Sequence, residues 1–195
     1  GGNIETLVTN VGARPSAIAL VHDNLPAGWT AEDVGTATRG GFTIHDPATG
    51  QYVMESVSAG VGGSSDAFQY AHQTYDTGSE DFTAMVRLWS QENTDGSATA
   101  GLMARDGTGS DAAFVMTAGT PQNGVQLQTR DTSGTETIDA LAGSPNTAKD
   151  GASPVWLILR RRGDTFSSYY AEDVNGKPGV WSDATIQTAT LPAAV

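Results

Sequence analysis

The sequence predicts an all-β protein: a jelly-roll sandwich of two antiparallel sheets with little or no helix. Apolar and polar residues alternate over several short stretches, and turn-forming residues separate these stretches at intervals of about 8–12 residues. Helical spacing never persists for three turns, because Gly, Ser and Thr interrupt every candidate. A length of 195 residues suits one sandwich, so residues 1–195 are predicted to form a single domain.

Three stretches carry the clearest alternation. In residues 82–88 the apolar positions 82, 84, 86 and 88 fall on one face, and residues 125–130 alternate without a break. Residues 155–160 place Val155, Leu157 and Leu159 together. We expect each stretch to be a strand whose apolar face lies in the core.

Turn chemistry lies between the predicted strands. The Gly163-Asp164 dipeptide separates two β-like stretches and predicts a two-residue hairpin loop. The dipeptides at 123–124 and 175–176 are both Asn-Gly, which favours tight turns because both residues tolerate positive φ.

The charge balance argues against two classes of partner. The chain has 22 acidic and 10 basic residues, so its net charge of −12 disfavours nucleic acid and anionic membranes. No apolar run reaches the 18 residues of a membrane-spanning helix, and no membrane insertion is expected. Only 2 of the 10 basic residues are Lys. An acidic, Lys-poor chain is typical of adaptation to strong salt, which screens self-repulsion, and this favours a halophilic archaeal source. An acidic extracellular protein is the alternative.

Catalytic motifs are not evident in the sequence. The chain has no cysteine, which excludes thiol catalysis and Cys-ligated metals. The adjacent acidic pairs at 32–33, 80–81 and 172–173 point to opposite faces of a strand, whereas glycosidases need two converging carboxylates. We therefore predict that the protein is not an enzyme, with a polysaccharide-degrading domain as a lesser alternative.

One loop is a weak candidate for calcium. The segment from Asp106 to Asp111 (DGTGSD) is rich in hard oxygen ligands, although it lacks the spacing of an EF-hand loop. The same residues favour turns for backbone reasons alone. No cofactor is required by the sequence, and Ca²⁺ at Asp106 and Asp111 is kept as an alternative to turn chemistry.

Several segments together resemble a known family. Residues 25–35 (LPAGWTAEDVG), 66–70 (DAFQY), 82–86 (FTAMV), 100–105 (AGLMAR) and 120–125 (TPQNGV) resemble consecutive motifs of that family, as does the region from Trp156 to Trp181. The family is the concanavalin A-like lectin/glucanase sandwich, in its "regulation of enolase" type. The resemblance covers residues 25–195 and implies a jelly roll that serves as a non-catalytic accessory module, usually presumed to bind carbohydrate.

The N-terminal segment resembles the end of that family rather than its beginning. Residues 4–24, from Ile4 to Asn24, are similar to the family's last two strands, which are missing after Leu191. The domain is then circularly permuted, or one repeat of a tandem array, or it donates strands to a neighbouring subunit. An unrelated N-terminal β-hairpin is the fourth alternative.

The lectin-like resemblance suggests where a sugar would bind. Sugar sites combine an aromatic plate with planar polar groups, and alternation places such residues on the non-core faces of several strands. We expect one polar-aromatic carbohydrate surface formed by Trp89, Arg105, Gln126, Gln128, Arg130 and Trp156.

Two functions of different class follow from the sequence. The first is an extracellular or cell-surface carbohydrate-binding module whose partner is a polysaccharide or surface glycan. The alternative is a structural or adhesive subunit of a filament or tandem-repeat protein. That subunit would self-associate through residues 1–24 by β-strand complementation.

Overall fold

A computed structural model describes residues 5–9, 16–20, 24–74, 81–131, 136–141 and 154–191. These residues form fifteen strands and no helix, which confirms the all-β prediction. None of them builds a helix able to cross a membrane. The chain divides into two compact units: a smaller one of residues 1–59 and 67–74, and a larger one of residues 60–66 and 75–195. That residues 1–195 form a single domain stays a prediction.

The strands of the smaller unit pair in three antiparallel couples, β1 with β2, β3 with β6 and β4 with β5. They are β1 (Glu5–Thr9), β2 (Ser16–Leu20), β3 (Thr30–Val34), β4 (Arg39–Asp46), β5 (Gln51–Val57) and β6 (Phe68–His72).

The larger unit contains two sheets. The four-stranded sheet has the order β11-β10-β9-β8; the five-stranded sheet has the order β14-β13-β12-β7, with β15 also paired to β13. The strands are β7 (Phe82–Leu88), β8 (Ala100–Arg105), β9 (Phe114–Thr120), β10 (Gly124–Arg130), β11 (Glu136–Ala140), β12 (Val155–Arg162), β13 (Thr165–Val174), β14 (Lys177–Pro178) and β15 (Thr185–Thr188).

The main core lies between these two sheets. Alternate residues of each strand point inward, so Val125 and Leu127 of β10 share one buried cluster with Leu157 and Leu159 of β12 and with Phe166 of β13. The inward faces predicted for residues 125–130 and 155–160 are therefore confirmed, as is that of residues 82–88, whose Phe82, Val86 and Leu88 pack against the cluster. The larger unit is a β-sandwich; its jelly-roll connectivity stays a prediction.

A buried polar pair interrupts this apolar core. The hydroxyl oxygens of Thr117 in β9 and Ser168 in β13 lie 2.6 Å apart and are hydrogen-bonded. Both residues are fully buried. One hydroxyl donates to the other, so each oxygen has a hydrogen-bond partner and the pair links the two sheets.

Two predicted turns are confirmed in the five-stranded sheet. Arg162 of β12 pairs with Thr165 of β13, so Gly163 and Asp164 form the two-residue loop. Asn175 and Gly176 connect β13 to β14 with φ angles of 55° and 82°. Two consecutive positive φ values suit an Asn-Gly loop, whose twist matches that of the flanking strands.

The N-terminal strands pair with each other. β1 and β2 form a two-stranded antiparallel sheet in which Glu5 lies opposite Leu20. The rest of residues 1–23 lies outside the described residues. Completion of a sandwich by this segment, in its own chain or in a neighbour, stays a prediction.

Candidate functional site

The six residues expected to share one surface lie on two different faces of the sandwich. Trp156 alternates with the core residues of β12 and so points outward from the five-stranded sheet, and Trp89 directly follows β7. The other four belong to β8 and β10, on the outward face of the four-stranded sheet; they are Arg105, Gln126, Gln128 and Arg130. The sheets bury their inner faces against each other, so their outer faces point in opposite directions. The expectation of one shared surface was wrong.

Arg105 and Arg130 are buried rather than offered to a ligand. Both side chains are 1% exposed and flank the fully buried carboxylate of Asp66. Arg130 donates from Nη1 to Asp66 Oδ2 at 2.8 Å and from Nη2 to Oδ1 at 2.5 Å. Arg105 Nη1 donates to Asp66 Oδ2 at 3.1 Å. We call these three residues the Arg–Asp–Arg triad.

The triad holds a loop over the outer face of the four-stranded sheet. Arg130 Nε donates to the Gly63 carbonyl at 3.0 Å, and the backbone N–H of Gly62 donates to Asp66 Oδ1 at 3.0 Å. Val61 of the same loop packs on an apolar cluster of Phe114, Met116 and Ala118. Sequence alternation placed Arg130 on the non-core face correctly. It carried no signal that residues 60–66 would cover that face.

The two glutamines of β10 differ in accessibility. Gln126 is half-buried, whereas Gln128 is buried and its Oε1 makes no hydrogen bond with the described residues. Of the four predicted polar residues on this sheet, only Gln126 retains appreciable exposure. The outward face of the four-stranded sheet therefore offers a ligand little polar surface.

The predicted calcium loop is organised around an arginine. The carbonyls of Gly107 and Gly109 accept hydrogen bonds from Arg105 Nε and Nη2, at 2.8 and 2.5 Å. Asp106 and Asp111 are exposed. Among the described residues, no group of three or more His, Asp or Glu side chains is placed to hold a metal ion. Calcium at Asp106 and Asp111 stays a prediction, and the two carbonyls that face Arg105 would not serve it.

The five-stranded sheet presents a cluster that we call the tryptophan shelf: Arg87, Trp89, Trp156 and Asp173. Arg87 lies directly opposite Trp156 in the β7–β12 register. Trp89 is two residues beyond Arg87, the spacing that returns a side chain to the same face of an extended chain. The Arg87 guanidinium carbon lies 4.0 Å from the Trp89 ring centroid and 5.9 Å from that of Trp156. The cation therefore stacks against one ring and contacts the second.

Asp173 holds the shelf in place. Its Oδ2 lies 2.7 Å from Arg87 Nε, forming an ion pair, and accepts a 2.9 Å hydrogen bond from Trp156 Nε1. Its Oδ1 accepts from the N–H of Gly176 at 2.9 Å, in the adjoining turn. Desolvation opposes the charged form, but the hydrogen bonds from Gly176 and Trp156 and the ion pair with Arg87 prevail and hold the pKa of Asp173 below its ordinary value of 3.8. The carboxylate is therefore ionised at any physiological pH.

The shelf continues into an open sheet face. Trp89 is 55% exposed although the Arg87 guanidinium stacks against its ring. Met85, Ile158 and Tyr169 lie side by side across β7, β12 and β13, and Ile186 extends the surface onto β15. Met85 and Ile186 are exposed. The result is a broad aromatic and apolar surface with one prearranged indole ring.

Sequence reasoning found both tryptophans but not their partners. Alternation in residues 82–88 predicts that Arg87 lies on the non-core face, and its position two residues before Trp89 is a usable signal for the site. Asp173 belongs to the adjacent acidic pair 172–173, which carries no signal for a site in the sequence. Its role depends on a diagonal contact between β12 and β13, which requires the strand register.

Comparisons of this chain with protein-family models, with curated proteins and with solved structures found no match. The resemblance to the concanavalin A-like family stays a prediction.

Proposed function

We propose that the protein is a non-catalytic carbohydrate-binding module that works at the cell surface or outside the cell, and that the tryptophan shelf is its binding site. The observation that carries the proposal is the exposed Trp89 ring, stacked on Arg87 and held by the ion pair with Asp173. Pyranose rings present patches of C–H groups that pack on indole faces. A ring already fixed in place loses little conformational entropy when a ligand binds.

Polar groups beside the ring suit the sugar's hydroxyls. The Arg87 side chain is 23% exposed, and its Nη atoms are strong hydrogen-bond donors. They can donate to hydroxyl oxygens of a sugar stacked on Trp89. Tyr169 lies on the same sheet face and carries a hydroxyl that can donate or accept.

The test is retention of the protein by glycans. Affinity electrophoresis in gels containing soluble polysaccharides should retard the wild-type chain and not Trp89→Ala. The matched control is Ile138→Ala, which removes another exposed apolar side chain but from β11 of the four-stranded sheet. Equal mobility of wild type and Trp89→Ala in every retarding gel would refute the shelf as the site.

A second candidate, the self-assembling structural subunit, is favoured by the β4–β5 hairpin of the smaller unit. Five large apolar side chains of this hairpin are exposed: Phe42, Tyr52, Val53, Met54 and Val57. Among the described strands, β4 pairs only with β5, and β1 pairs only with β2. Isolated two-stranded sheets are marginally stable and leave edges available for strand addition.

Light scattering after size exclusion tests this second candidate. Oligomers or filaments that disappear when residues 1–24 are deleted would support strand complementation between chains. A monomer at all concentrations, with or without these residues, would exclude it.

A further inference from the structure

We infer that the ligand of the tryptophan shelf is an uncharged glycan, bound along several consecutive sugar units. This inference depends on the proposed carbohydrate-binding function and adds the chemical class and extent of the ligand. It follows from the charge at the shelf and from the extent of the exposed sheet face.

The shelf has a cation, but its charge is already compensated. Arg87 Nε lies 2.7 Å from Asp173 Oδ2, and the lowered pKa of Asp173 keeps that carboxylate ionised wherever the protein is folded at ordinary pH. The formal charges of the pair sum to zero. A uronate or sulfate placed on Trp89 would meet the Asp173 carboxylate as well as the guanidinium, so it gains little attraction.

Other basic groups lie away from the shelf. Arg160 is exposed on the same outward face of β12, four residues and about 13 Å along the strand from Trp156. It pairs with Ser167, which pairs with Ile186, so it lies at the end of the exposed face away from Trp156. Lys177 pairs with Val174, the residue next to Asp173, and so belongs to the opposite face. The net charge of −12 also repels polyanions as they approach.

The exposed face is longer than one sugar ring. Met85 in β7 and Ile186 in β15 are both more than half exposed, and β12 and β13 lie between those strands. Three interstrand spacings of about 4.8 Å give a surface about 14 Å across. Because its exposed apolar residues extend to both edge strands, the face suits the interior of a chain better than a single terminal sugar.

The test compares neutral and anionic polymers in affinity electrophoresis. The neutral probes are pullulan, galactomannan, xyloglucan and mixed-linkage β-glucan; the anionic probes are alginate and chondroitin sulfate. We expect retardation by at least one neutral polymer, unchanged between 0.1 and about 1 M NaCl because no charge pairing with the ligand is involved. Trp89→Ala should weaken the affinity about 30-fold or more, as for an aromatic side chain that anchors a ligand. The control Ile138→Ala, on β11 of the four-stranded sheet, should leave it unchanged.

The outcomes separate the inference from the function on which it depends. Retardation by alginate or chondroitin sulfate alone, lost in Arg160→Ala and at high salt, would overturn the neutral class while leaving carbohydrate binding intact. Equal affinity for a monosaccharide and for an oligosaccharide of the retarding polymer, measured by calorimetry, would overturn the extended site. No retardation by any of the six polymers would overturn both the inference and the proposed function.

Discussion

Asp66→Asn should strongly destabilise the larger unit. The Asp66 side chain is fully buried, and the side chains of Arg105 and Arg130, with which it forms ion pairs, are 1% exposed. Asparagine keeps the shape and one acceptor oxygen but removes the only negative charge of the Arg–Asp–Arg triad. Two buried cations then face a neutral amide. Removing one partner of a buried ion pair costs about 3–5 kcal/mol.

Urea unfolding followed by tryptophan fluorescence measures this loss. Trp89, Trp156 and Trp181 all belong to the larger unit, so the signal reports mainly on it. With an m value of about 2 kcal/mol/M, the expected destabilisation lowers the urea midpoint by about 2 M. The loss should change little with salt, because buried charges are poorly screened.

Asp81→Asn is the matched control in the same unit. Asp81 Oδ2 lies 3.6 Å from Arg162 Nε, and both side chains are about half exposed. An exposed pair of this kind contributes at most about 1 kcal/mol. If Asp66→Asn lowers the midpoint no more than Asp81→Asn, the argument that the triad's charge is desolvated and stabilising is refuted.

Three further predictions concern the sandwich core and the shelf. Thr117→Val removes the hydrogen-bond partner of the buried Ser168 hydroxyl and should lower the free energy of unfolding in urea by about 1–3 kcal/mol. Adding Ser168→Ala should restore much of this stability, because no buried hydroxyl is then left unpaired. A double variant that is no more stable than Thr117→Val alone would contradict this expectation. Leu157→Ala should cost about 2–5 kcal/mol by calorimetry, because its side chain is fully buried between the sheets, while the exposed Ile186→Ala should not. The lowered pKa of Asp173 means that the unfolded state binds its proton more tightly, so this carboxylate stabilises the fold above pH 3.8 and the benefit is lost as pH falls below that value. The difference in free energy of unfolding between wild type and Asp173→Asn should therefore become smaller below pH 3.8. A difference that stays constant from pH 6 to pH 3 would contradict this expectation.

The sequence predicted the strands whose two faces differ in polarity. Leu157 and Leu159 alternate with outward residues, so period two was sufficient to assign their burial. The Gly163-Asp164 loop was equally local, because its chemistry limits the backbone to a tight turn. Patterns of this kind depend only on neighbours in the chain.

Contacts between distant segments were not predictable in the same way. Arg130 and Asp66 are 64 residues apart, and an outward-facing arginine on a strand ordinarily reaches solvent. Alternation distinguishes core from non-core faces, but a non-core face is exposed only where no loop covers it. Arg105 and Arg130 lie on a non-core face that a loop covers, so they are buried, whereas Trp89 is exposed.

The loop of residues 60–66 has a consequence for the modularity of this protein. It belongs to the larger unit, although the chain on both sides of it belongs to the smaller one. A gene fragment beginning at residue 60 would therefore encode the complete Arg–Asp–Arg triad, but it would also encode β6 without its partner β3. Neither unit is encoded by one continuous stretch of the gene. Recombination would therefore have to transfer both units together or supply a new partner strand for β6.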